Sequence, residues 1–83
     1  MFISTLILVL LILNWLTTNE ENLTGFEVER GADGKTFSKT GFISATNTSG
    51  QHGYSFTDSM PLQRDNYYRL KMQDNDGKFT YSN

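Results

Sequence analysis

The sequence predicts an all-β fold, a two-layered antiparallel sandwich, on three observations. Apolar and polar residues alternate with a period of two through Phe26-Glu27-Val28-Glu29-Arg30, Tyr54-Ser55-Phe56-Thr57-Asp58 and Tyr68-Arg69-Leu70-Lys71-Met72. That period sends successive side chains to opposite faces of a strand. Turn chemistry separates the runs, with Asp33-Gly34 and Asp76-Gly77 supplying residue pairs that tolerate positive φ. No segment carries a 3.6-residue apolar period, so no substantial helix is expected. Short strands recurring about every ten residues, with turns between them, are the pattern of a sandwich.

Each element follows from its residues. Leu6 to Leu13 is a run of eight apolar residues without charge. It is too short for a membrane-spanning helix, which needs about 20. It has the length of a signal-peptide core, yet no Lys or Arg precedes it and no small-x-small cleavage pattern follows. From Leu11 to Thr17 the preferred reading is a buried strand, with Leu11, Leu13 and Trp15 facing one way and Ile12, Asn14 and Leu16 the other. Residues 1–10 read as a strand extension or a vestigial targeting segment. Thr17 to Thr24 reads as a polar loop. Phe26 to Arg30 is a strand with Phe26 and Val28 inward and Glu27 and Glu29 in water. Gly31 to Lys35 is a hairpin turn, and Thr36 to Ala45 returns from it with a bulge or bend at Gly41. Thr46 to Gly53 reads as a flexible polar loop. Tyr54 to Asp58 is a short strand, and Pro61 to Asn66 turns the chain into the next. There Tyr68, Leu70 and Met72 share one face and Tyr67, Arg69 and Lys71 the other. The expected core is Leu11, Leu13, Trp15, Phe26, Val28, Phe56, Tyr68, Leu70 and Met72.

The 83 residues allow a single domain. A chain of this size buries only about two-thirds of its unfolded surface. Net charge is −2, from seven basic and nine acidic residues without a basic block, which argues against a nucleic-acid partner. The chain has no cysteine, so neither a disulfide framework nor a thiolate metal site is available.

Groups that could carry chemistry have plainer readings. His52, the single histidine, reads as a solvated loop residue, since no nucleophile and orienting acid are held beside it. Asp74-Asn75-Asp76-Gly77 has the look of a calcium loop. Lys78 occupies its fifth position, however, where an oxygen ligand is required, so a hairpin turn is expected. Glu20, Glu21, Glu27 and Glu29 do not define the cleft that paired catalytic carboxylates need. Tyr67 beside Arg69 and Lys71 offers an aromatic and basic strip for carbohydrate or protein contact, against the plainer reading of a sheet face covered by long side chains. Asn22-Leu23-Thr24 and Asn47-Thr48-Ser49 match the glycosylation acceptor pattern. No catalytic residue, metal ligand or cofactor is expected.

Trp15 early in the chain and Tyr68 near the start of a late strand suit an immunoglobulin-like sandwich, the indole between the sheets and the phenol closing a corner onto the preceding loop. Several motifs in order carry a resemblance: Leu13-Asn14-Trp15 with Thr17 and Glu20, Gly25 to Arg30, Asp33-Gly34 with Phe37, Tyr54 to Asp58, Tyr67 to Leu70, and Asp74 to Gly77. Together they resemble the fibronectin type III-like module of Bacteroidota surface and secreted proteins, which often precedes a type IX secretion sorting domain. The six-residue step from Leu62 to Tyr68 is similar to that family's leucine-to-tyrosine spacing, and Asp58-Ser59-Met60 looks like a short O-glycosylation motif of the same bacteria. The resemblance covers residues 11–83 and departs from the family at both ends, so a partial domain is expected, poorly soluble or only partly folded alone. It implies a non-catalytic structural, adhesion or spacer module of an exported bacterial protein, secreted or at the cell surface. Its partners would be other domains of that protein, or protein or carbohydrate surfaces. The alternative is a small membrane-associated or secreted peptide whose N-terminal segment touches the membrane.

Overall fold

The computed structural model describes residues 11–82. Residues 1–10 lie outside them, and with them the two readings of that segment. Six strands follow in order: β1 (Leu11–Thr18), β2 (Leu23–Gly31), β3 (Ser38–Ser44), β4 (Gln51–Asp58), β5 (Tyr67–Asp74) and β6 (Phe79–Tyr81). All pair antiparallel, in two sheets of order β1-β4 and β3-β2-β5-β6. The fold is an all-β antiparallel sandwich. Among the described residues no helix is long and apolar enough to cross a membrane.

The sheets meet through an aromatic cluster. Trp15 and Tyr54 face each other across the β1–β4 ladder and stack at 5.7 Å, while Phe26 of the opposite sheet packs 5.6 Å from Trp15 and 4.8 Å from Tyr54. Ring pairs at such separations contribute about 0.5–1.5 kcal/mol each beyond the area they bury. Leu11, Leu13, Phe26 and Val28 are buried. Trp15, Phe56, Tyr68, Leu70 and Met72 are half-buried. The reason lies in the strand count: two strands cannot cover the inner face of four. Trp15 Nε1 is buried and has no hydrogen-bond partner among the described residues.

Several local expectations need correction. Glu29 is buried, only 7% exposed, because Arg69 on the neighbouring strand lies across it. The segment 46–53 is no flexible loop: β4 begins at Gln51, Thr46 and Asn47 are tied to Glu20, and Gly50 is tied to Asn19 just after β1. Asn19 and Gly50 exchange hydrogen bonds of 2.8 Å, both residues having positive φ. His52 therefore lies within β4, its Nε2 beside Thr48 Oγ1 at 2.8 Å, which sets it apart from a solvated loop side chain. The loop 19–22 is shorter than expected, because β1 runs to Thr18 and β2 starts at Leu23.

Near Gly41 the chain does bulge. Val28 pairs with Gly41 while Glu29 pairs with Lys39, leaving Thr40 as the extra residue. Gly41 also admits the ring of Phe56, which lies 2.3 Å from where a β-carbon would stand.

Candidate functional site

Two polar clasps and one open face account for most side chains that could act chemically. The first clasp joins the sheets through Asp58. Its carboxylate accepts hydrogen bonds from Arg30 Nη1 at 2.8 Å, Tyr68 Oη at 2.6 Å and the Met60 amide at 3.1 Å. Burial pushes this carboxyl up, and the bonds from Tyr68, Arg30 and Met60 outweigh burial and hold it below the usual range. Tyr68 is pushed well up, by burial first and then by the Asp58 charge. The expected tyrosine corner thus closes onto a side-chain carboxylate at the end of β4 instead of the preceding loop. That loop is closed by Asn66, 1% exposed, whose amide bonds both the N–H and the C=O of Leu62.

The second clasp is Glu20, buried at the opposite end. It accepts hydrogen bonds from Thr17 Oγ1, from Tyr54 Oη at 2.5 Å, and from the amides of Thr46 and Asn47 at 3.0 and 2.8 Å. Burial raises its pKa, and these four bonds outweigh burial and bring it to about 2. Both clasps satisfy their carboxylates internally. Neither leaves a group aimed at a substrate.

The open face is the outer surface of the four-stranded sheet. Strand pairing sets its rows: Phe42, Glu27, Lys71 and Tyr81 in one, Lys39, Glu29 and Arg69 in the next, and Ser44, Gly25, Gln73 and Phe79 on the other side. Arg69 donates to Glu29 Oε1 at 2.6 Å. Its guanidinium lies between two rings, 4.2 Å from the centroid of Phe37 and 3.8 Å from that of Tyr81. Lys71 stands 4.1 Å from the Phe79 ring and Lys39 5.8 Å from that of Phe42. Such contacts contribute about 0.5–1 kcal/mol at exposed sites. The hydrogen bond with Glu29 holds the Glu27 carboxyl up, and burial adds to it. Burial also pushes Glu29 up, but its bonds with Glu27 and Arg69 prevail and lower it. Phe42, Phe79 and Tyr81 remain 37%, 48% and 43% exposed.

Of the strip expected from sequence, Arg69 and Lys71 lie on this face, and Tyr67 packs beside Gly34 at its margin. Sequence reasoning missed Lys39, Phe42, Phe79 and Tyr81. Asp74 to Gly77 forms the hairpin joining β5 to β6, with the Gly77 amide donating to Asp74 O at 3.0 Å and Asp76 Oδ1 accepting from the Lys78 amide at 2.9 Å. Among the described residues no three His, Cys, Asp or Glu side chains come together to hold a metal ion. Comparison with known protein families, characterised proteins and solved structures finds no match to this chain.

Proposed function

We propose that the chain is a non-catalytic, fibronectin type III-like module of an exported bacterial protein, serving as a spacer or adhesion domain. The observation that carries this reading is the strand order. Immunoglobulin-like sandwiches place their second and fifth strands together in one sheet and their third, sixth and seventh in the other. If β1 is taken as the second strand of such a fold, then β1-β4 is the first pair and β2-β5-β6 the opposing trio, with β3 added beside β2. Trp15 between the sheets and Tyr68 at the start of β5 support the same assignment. Two carboxylates, Glu20 and Asp58, are engaged by internal donors, which suits a structural module better than a reaction centre.

Protease treatment of intact cells producing the natural reading frame tests the proposal. External protease is expected to remove the module's epitope while a cytosolic marker survives. Retention of the epitope in the cytosol would sink it.

A further inference from the structure

We infer that the outer face of the four-stranded sheet binds an acidic polysaccharide, with Lys39 and Lys71 meeting its carboxylates and Phe42, Phe79 and Tyr81 meeting its sugar rings. This names the partner of the adhesion surface and rests on the reading above.

Charge is the first argument. The chain has a net charge of −2, yet this face sets three cations, Lys39, Arg69 and Lys71, against two acids, Glu27 and Glu29. Arg69 is neutralised by Glu29 at 2.6 Å. Among the described residues no carboxylate forms an ion pair with Lys39 or Lys71, and both ammonium groups rest near aromatic rings instead. Glu27, on β2 between the two lysine strands, acts on both lysines, so beyond the Arg69–Glu29 pair the face sets two cations against one acid and keeps a net positive charge for a ligand.

Spacing is the second. Lys39 on β3 and Lys71 on β5 flank β2, so their strands lie about 10 Å apart. That is comparable with the length of a disaccharide, and hence with the interval between carboxylates on a chain whose uronates recur.

The third argument separates a glycan from a protein partner. A protein interface needs a contiguous, desolvated apolar core. Here the exposed rings are islands, Phe42 at one margin and Phe79 and Tyr81 at the other, with Glu27, Lys71 and Gln73 between them. Rings set among hydrogen-bonding groups suit sugars, whose C–H faces stack while their hydroxyls bond beside them. Strand addition is unavailable on the face itself, because β2 and β5 each have a strand neighbour on both sides.

Affinity electrophoresis of the full chain in gels containing polygalacturonate, dextran or polyglutamate tests the inference. Retardation by polygalacturonate alone is expected, weakening as salt is added. Lys39→Gln with Lys71→Gln should weaken it by about tenfold or more, and Tyr81→Ala should weaken it without flattening its salt dependence. Lys35→Gln with Lys78→Gln removes the same charge from turns outside the face and should leave retardation unchanged. Circular dichroism confirms that each variant is folded. No retardation, equal retardation by dextran or polyglutamate, or an equal loss in the turn-lysine variant would each overturn the inference. A module that reaches the cell surface yet ignores polygalacturonate defeats this inference alone and leaves the export reading standing.

Discussion

Glu20 illustrates how much one residue can organise. Its carboxylate collects donors from the end of β1, from the 45–50 loop and from β4, tying one end of the sandwich together. Hydrogen bonds to a charged acceptor contribute about 1.5–3 kcal/mol each before screening. With water close by at the end of the fold, Glu20→Gln is expected to cost a net of about 1–2 kcal/mol at pH 7. The folded pKa of about 2 lies below the ordinary 4.5, so the charge-dependent stabilisation is complete above pH 4.5 and fades as pH falls toward 2. Urea titrations of both proteins should therefore show a gap at pH 7 that closes between pH 4.5 and 2; a gap of constant size would refute this role. Composition and charge do not mark Glu20 over Glu21; only the motif of Leu13-Asn14-Trp15 with Thr17 and Glu20 sets it apart. Its partners come from Thr17, Thr46, Asn47 and Tyr54, and only the fold brings them together. Glu29 shows the converse. Alternation placed it on the outer face correctly, but outward did not mean solvated once Arg69 lay over it.

At the scale of elements, period-two patterning carried most of the information. It located β2, β4 and β5 and put Phe26 and Val28 in the interior, because a strand with one face buried has only one register that hides its apolar set. Where register slips, patterning fails. Lys39 and Phe42 are three residues apart, so strict alternation would send them to opposite faces; the extra residue at Thr40 puts both on the outer one. The glycines show the same division. Gly31, at the end of β2, would place a β-carbon 2.1 Å from Thr36 O, a backbone atom that moves only if the hairpin opens. In Gly53 the nearest such contact is Leu16 at 3.6 Å, ordinary packing. Gly31→Ala should accordingly destabilise by about 1–3 kcal/mol, whereas Gly53→Ala should change stability by less than about 0.5 kcal/mol. Chemical denaturation of the pair checks this, and equal effects would contradict the packing described.

At the scale of the whole molecule, the unequal sheets formed by the described residues are the governing feature. With two strands over four, Leu70 and Met72 stay half-buried, and among the described residues β1 has no strand on its second edge. That edge carries no charge from Leu11 to Thr18, and Ile12 and Leu16 on its outward side are 55% and 68% exposed. Uncharged edges of this kind recruit other strands. Leu16→Lys should therefore raise the concentration at which the protein stays dispersed, with unfolding midpoint unchanged, as light scattering and thermal melts would show; unaltered scattering would argue against edge pairing. Three things were determined by the amino-acid order alone: the all-β class, the positions of the two Asp-Gly turns, and the inward face of the central strands. Short-range alternation and the conformational freedom of Asp-Gly pairs decide all three within a few residues. Tertiary structure alone decided how the strands divide between sheets, which carboxylates are clasped, and which rings and cations share a face. Those outcomes depend on pairings across as many as 53 residues, as from Asn22 to Asn75, and no local pattern encodes a neighbour that far along the chain.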